Sequence, residues 1–267
     1  MFRNMTLGQY YPADSILHRL DPRTKLFGTL IFIISIFIVD SVPGMLVIAA
    51  FLGAVIIVSK VPFSFMVKGI KGIVVLLMIA GLFNLFLTPG DKILFHYGIL
   101  TITDAGLKSA TLMTIRMIVL INATSVMTLT TTPNSLTDGL EKGLRFLTVF
   151  KVPVHEISMM MSIALRFIPI LIEETDKIMK AQMARGADFE SGGIFQKAKS
   201  MVPILVPLFV SAFRRANDLA LAMEARCYNG GDGRTNMKPL KYAGIDAVSY
   251  VCIFVFLGVC IAAKVLL

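Results

Sequence analysis

The chain has 267 residues, 56% of them hydrophobic and only 16% charged, and its mean hydropathy is +0.77. Soluble domains carry about half apolar residues at most, so the excess must face lipid. The net charge of +9 does not gather into a nucleic-acid patch but follows the apolar runs, and no nucleic-acid partner is expected. The composition excludes a soluble enzyme and implies an all-α integral membrane protein, with about five transmembrane helices of ~20 residues plus a cytoplasmic domain of long amphipathic helices.

Asp14, Asp21 and several cations precede the first apolar run, and no small-residue cleavage site follows a short one. That is not the pattern of a cleavable leader, so the first run is expected to stay as a membrane helix. Apolar runs fit for spanning occur at 24–41, 43–59, 70–88, 105–130 and 245–266. Asp21-Pro22 opens the first well, because Asp caps free N–H groups and Pro fits the first turn. Asp40-Ser41-Val42-Pro43-Gly44 breaks the first two spans apart as a tight turn. Between the third and fourth, "ILFHYGILTIT" (93–103) alternates enough for a short extracellular hairpin or a re-entrant piece.

Charge sets the expected orientation. With the N-terminus inside, segments 1–25, 60–71 and 131–242 hold 4, 3 and 15 Lys/Arg, while the outer turns and tail hold only Lys92 and Lys264. This is a strong positive-inside bias and leaves the C-terminus outside. The expected organisation is a membrane domain over 1–130, a cytoplasmic domain over 131–242, and a final transmembrane helix over 243–267 that completes the membrane domain. Its expected place is the bacterial cell membrane.

Within 131–242, "SLTDGLEKGLRFL" (135–147) predicts a short amphipathic helix with Leu136, Leu140, Leu144 and Leu147 as its apolar stripe. Two further apolar stretches, 154–172 and 201–213, are poor spans. The first carries Glu156, Arg166 and Pro169; the second is short and holds two prolines. Both run on into polar helix, which predicts two long helices, roughly 154–185 and 196–228, lying along or beneath the membrane. Their ends repeat at an offset of 41: Ala181 matches Ala222, and Ala184-Arg185 matches Ala225-Arg226.

Catalytic patterns are missing. There is no Gly-rich loop ending in Lys-Ser/Thr, so ATP is not expected to bind in that way, and no zinc-protease pair or nucleophile elbow occurs. Cys227, Cys252 and Cys260 make no metal-spaced cluster, and the last two read as small buried hydrophobes. "NGGDGRT" (229–235) reads as a loop that ends a helix. No enzyme activity, metal or cofactor of its own is expected. Arg116, inside the fourth span, either pairs within the bundle or lines a pathway.

Arg185 and Arg226 admit two readings. A cation in a helix's last turn complements its dipole, with Gly186 or Asn229-Gly230 ending the helix. Yet lysine would serve that purpose equally, and small neighbours leave each guanidinium free to enter a groove in a partner.

Together "SILHRLDPRTKL" (15–26), "SIALRFIPILIEE" (162–174), "AQMARGADF" (181–189) and "MEARCYNGGDGRT" (223–235) resemble the transmembrane T component of energy-coupling factor (ECF) transporters, most closely the shared type that serves several vitamin-binding partners. The ordered set spans nearly the whole chain. The resemblance implies a subunit that joins two ABC-type ATPases, which bind the ATP, to a small, interchangeable substrate-binding membrane protein. It makes residues 131–242 a coupling domain of crossing helices, whose tips Ala184-Arg185-Gly186 and Ala225-Arg226-Cys227 dock in the ATPases. Cys227 departs from the commoner Ala-Arg-Gly, which leaves the local turn there open. Met159, Met160 and Met161 suit a surface that repacks against several partners, or ordinary core filling. The competing readings are a self-contained secondary transporter or channel with Arg116 on its path, or an intramembrane enzyme, for which clustered catalytic side chains are lacking.

Overall fold

The computed structural model describes residues 10–90, 93–97, 100–189, 193–231, 237 and 239–266. In chain order its elements are α1 (Ile16–Arg19), α2 (Pro22–Ile38), α3 (Val42–Ser59), α4 (Phe63–Lys71), α5 (Val74–Leu87), β1 (Ile93–Tyr97), β2 (Leu100–Thr103), α6 (Asp104–Thr130), α7 (Pro133–Gly143), a 3₁₀ turn (Arg145–Phe150), α8 (Val154–Ala184), α9 (Ile194–Ala225) and α10 (Gly244–Leu266). They form two compact units, one over 10–143 with 240–266 and one over 144–239.

Four helices are long and apolar enough to cross a bilayer: α3, α6, α8 and α10. The pair α4 and α5, bent by 63° at their junction, makes a fifth if taken as one span. Helix α2 has 17 residues, which cover roughly 26 Å at 1.5 Å each. The continuous run expected over 70–88 is therefore broken. Gly72 caps α4, the Ile73 N–H reaches back only to the Ile70 carbonyl at 2.8 Å, and a new helix begins at Val74. None of the residues of α5 is buried, as suits a helix that faces lipid on most sides.

In the first unit α6 is the central element and packs on α2, α3, α4 and α5. Ile36, Met45, Ile48, Met66, Val119 and Val126 are buried around it. Phe51 and Phe256 stack at 4.1 Å between ring centroids and Phe32 and Phe256 at 5.4 Å, joining α2, α3 and α10. A Cβ at Gly106 would lie 2.7 Å from the Leu85 carbonyl oxygen, so only glycine lets α5 and α6 approach this closely. The 93–103 segment is an antiparallel hairpin, with Tyr97 opposite Leu100 and an irregularity between Ile93 and Phe95.

Helix α7 starts two residues earlier than the sequence predicts and ends at Gly143, where the 3₁₀ turn takes over. It meets α2 through small residues rather than through the leucine stripe. Thr137 and Gly139 are buried, and a Cβ on Gly139 would sit 2.9 Å from Pro22.

One polar junction ties the start of α2 to the start of α10. The Asp21 side chain caps α2 by accepting from the Arg23 N–H at 2.9 Å, and it takes two further bonds from the Arg23 guanidinium. That guanidinium also lies over the Tyr242 ring at 4.0 Å. The Asp246 carboxylate accepts from the Asp21 N–H at 2.9 Å and the Ala243 N–H at 2.8 Å. Burial pushes the Asp21 carboxyl up, but the hydrogen bonds and charge of Arg23 outweigh it and hold it below the ordinary value. A depressed carboxyl contributes stability that is present above about pH 4 and lost as pH falls through its lower folded pKa. In purified protein, Asp21→Asn should cost about 1–3 kcal/mol at pH 7. It should also flatten the acid limb of the stability profile below about pH 4, read by thermal unfolding across pH 3–7.

Candidate functional site

The long helices α8 and α9 end within two or three residues of where the sequence places them. Helix α9 continues without a break through Pro203 and Pro207. A helical proline leaves the carbonyl four residues earlier without its donor, which for Pro207 is the carbonyl of Pro203. That oxygen instead accepts from the Gln182 side-chain amide of α8 at 3.3 Å. Further along, Glu174 of α8 accepts from the Ser211 hydroxyl and, at 2.8 Å, from the Arg215 guanidinium of α9. These partners pair rising numbers on one helix with falling numbers on the other, so the two helices run antiparallel where they cross.

The two tips therefore lie at opposite ends of the pair. At 1.5 Å per residue they are on the order of 30–40 Å apart. Their backbones close in the same way. Beyond α8, the Gly186 N–H bonds the Met183 carbonyl at 2.9 Å and the Ala187 N–H bonds the Gln182 carbonyl at 3.0 Å. Beyond α9, the Cys227 N–H bonds the Glu224 carbonyl at 2.8 Å and the Tyr228 N–H bonds the Met223 carbonyl at 3.0 Å. Both are Schellman turns, each with a left-handed residue after the arginine: Gly186 at φ 89° and Cys227 at φ 56°. The turn left open by Cys227 is thus the same turn, formed at the cost of a Cβ in the left-handed region, about 1–2 kcal/mol.

Ala184, Arg185, Gly186, Ala225, Arg226 and Cys227 are all exposed. Neither the Arg185 nor the Arg226 side chain has a hydrogen bond or ion pair among the described residues. Backbone N–H groups close both turns on the carbonyls of Gln182, Met183, Met223 and Glu224, so neither guanidinium is needed for those. Residues 232–235 of the glycine-rich segment lie outside the described residues.

Met160 and Met161 are 57% and 42% exposed, and Met159 is half-buried; the first two do not fill a core within this chain. A larger apolar surface runs along α9, where Val202, Leu205, Val206, Phe209, Val210 and Phe213 are all exposed at helical spacing. The signal for it was already in the three-and-four spacing of apolar residues over 201–213. Arg116 has a partner that sequence reasoning missed. Its guanidinium donates to the Val39 carbonyl at 2.9 Å and to Asp40 at 3.0 Å, and it lies 5.7 Å from the Phe37 ring centroid. It ties α6 to the end of α2. Cys260 is buried as expected, but Cys252 is exposed.

Residues 13–237 match the cobalt transport protein family (CbiQ). The chain is 51% identical to the energy-coupling factor transporter transmembrane protein EcfT of Clostridium kluyveri, over 99% of this chain and 98% of that one. It is 47% identical to the protein of that name from Heliobacterium modesticaldum over the full length of both. With the Bacillus subtilis protein it shares 46% identity over 96% of each chain. A family match across most of the chain, with relatives this similar from end to end, gives one result: the chain belongs to the family of energy-coupling factor transporter transmembrane proteins.

Proposed function

We propose that this chain is the coupling subunit of an ATP-driven vitamin importer, a non-catalytic scaffold without a cofactor of its own. It grips two ABC-type ATPase subunits and passes their movement to an interchangeable substrate-binding membrane protein. The observation that carries this reading is the pair of tips. Each presents an exposed arginine with no partner among the described residues on the same hydrogen-bonded turn, and the two stand too far apart to enter one groove. Arginine's fork suits carboxylates and carbonyls in a docking groove. The exposed apolar stripe of α9, with Met160 and Met161, offers the surface for the substrate-binding subunit. On this reading residues 131–242 face the cytoplasm, as does the N-terminus, in a bacterial cell membrane. The rival reading, a pathway lined by Arg116, has less to support it, because that side chain is engaged by Val39 and Asp40.

Arg185→Ala or Arg226→Ala should impair ATP-driven uptake at matched membrane abundance, and the double variant should nearly abolish it. Removing one side of a desolvated charge pair costs ~2–5 kcal/mol, against ~0.3–1 for a helix-dipole contact. Arg→Lys should also impair uptake and co-purification of the ATPases. Near-normal lysine variants would return both arginines to a capping role.

The turns themselves give a second expectation. Gly186→Val forces a branched side chain into the left-handed region and should loosen ATPase binding. Cys227→Gly relieves that conformation at an entropic cost of ~0.4–1 kcal/mol in the unfolded chain, and should leave binding unchanged or slightly tighter. Co-purification yields of the assembled complex read both.

Topology can be tested at Cys227 itself, with Cys252 and Cys260 replaced by Ala. An impermeant maleimide should label it in inverted vesicles and leave it untouched in intact cells. Labelling from outside would reverse the proposed orientation.

A further inference from the structure

The 3₁₀ turn over Arg145–Phe150 leaves its apolar side chains outside the fold. Phe146, Val149 and Phe150 are 62%, 82% and 75% exposed, and Leu144 just before them is exposed as well. At about three residues per turn, Phe146 and Val149 stand one above the other with Phe150 beside them, so the three form one knob. Cations bracket it. Residues 142–155 hold Lys142, Arg145 and Lys151 and not one Asp or Glu. Arg145 and Lys151 are exposed, and neither side chain has a partner among the described residues.

The backbone beneath the knob closes on itself. The Leu147 N–H bonds the Leu144 carbonyl and the Lys151 N–H bonds the Thr148 carbonyl, both at 2.9 Å. The Val152 N–H reaches the Leu147 carbonyl at 3.3 Å, and the Thr148 hydroxyl donates to the Arg145 carbonyl at 2.6 Å. Lys151 takes the left-handed conformation, at φ 59°, that ends the turn. Polar backbone groups that satisfy one another in this way meet the condition that lipid sets for any segment entering it. The chain also delivers the turn to the membrane boundary. Helix α7, whose Gly139 sits against Pro22 at the start of α2, ends at Gly143, and the turn follows directly.

We propose that this knob is an interfacial anchor. Phe146, Val149 and Phe150 sink into the acyl boundary of the leaflet in which α2 begins, and Arg145 and Lys151 stay level with anionic phospholipid headgroups. Apolar side chains bracketed by cations fit that boundary, where rings pass into hydrocarbon and long basic side chains reach back to phosphate. The absence of any carboxylate over 142–155 removes the repulsion that an anionic surface would otherwise exert on the segment. Only Val152 and Pro153 separate Lys151 from the first residue of α8. The anchor thus gives that long helix a fixed point at the bilayer surface.

The chain holds no tryptophan, so a single one introduced reports alone. The full-length chain carrying Phe146→Trp or Phe150→Trp is reconstituted, without any partner protein, in vesicles of phosphatidylglycerol and phosphatidylcholine brominated at a shallow or a deep acyl position. Phe254→Trp, at an exposed position of α10, is the reference for lipid contact. Emission from positions 146 and 150 should be blue-shifted and quenched more by shallow bromines than by deep ones. Adding Arg145→Gln and Lys151→Gln to Phe150→Trp should lower that quenching in the anionic vesicles. Vesicles of phosphatidylcholine alone should lower it for the native charges. Because all these side chains are exposed, the exchanges should leave the melting temperature in detergent unchanged, so a loss of quenching cannot be ascribed to misfolding. The proposal is overturned if emission from 146 and 150 stays water-like and unquenched while Phe254→Trp is quenched, or if the charge variant is quenched as strongly as its parent. It is equally overturned if emission shifts only when ATPase or substrate-binding subunits are added, which would assign the knob to a protein interface.

Discussion

The geometry of the α8–α9 unit depends on one carboxylate. Glu174 takes hydrogen bonds from both Ser211 and Arg215 across the crossing, the main polar contact between the two helices among the described residues. Full burial is sparse there, with Val154 and Ser158 on α8 and Ile204 on α9, and most apolar side chains of α8, Phe167, Ile170, Leu171 and Ile178 among them, are only half-buried. A half-exposed ion pair is worth only about 0–1 kcal/mol. The Gln182 bond to the proline-freed carbonyl adds a second weak fastening a few turns away. Such a joint sets a direction without being stiff. The tips hold a defined separation, while the energy needed to change the crossing stays small.

The other unit is held together on different terms. Helix α6 carries many hydroxyl and amide side chains, yet Thr111, Thr114, Asn122, Ser125 and Thr128 all turn back onto carbonyls of their own helix. In lipid, a polar group that satisfies itself locally does not need a neighbour. The groups that reach across include Arg116 to Asp40, Ser109 to Asn84, Lys25 to the Thr130 carbonyl, and Asp246 to the Asp21 N–H. Cohesion of the bundle interior is left to packing, with the Phe32–Phe51–Phe256 stack and the glycine contact of α5 on α6.

Those contrasts decide what could be read from the residues alone. Helix ends were legible where local chemistry marks them: Asp21-Pro22 at the start of α2 and Gly186 beyond α8; the left-handed turn at Cys227 was not, because Asn229-Gly230 carried the expected signal for the end of α9. The long apolar runs placed α2, α3, α6 and α10 within a few residues of their observed ends. The break between Lys71 and Val74 was hidden, because a lone Gly72 near the start of an apolar run is a weak signal. Cross-helix partners were out of reach, since Arg116 and Asp40 are 76 residues apart and Glu174 and Arg215 are 41 apart.

The two turns beyond α8 and α9 are alike in their hydrogen bonds but not in the residue that makes them. A glycine rests easily at positive φ; a cysteine does so under strain, offset in part by its lower unfolded-state entropy. The net difference, about 0.5–1 kcal/mol, is roughly two- to fivefold in an equilibrium. With otherwise equal contacts, the end of α9 is open that much more often than the end of α8. Two handles that look equivalent at rest thus differ in readiness. On the proposed docking, the α8 end would meet its partner already formed, while the α9 end would more often close upon it, giving assembly an order that the symmetry of the motif conceals.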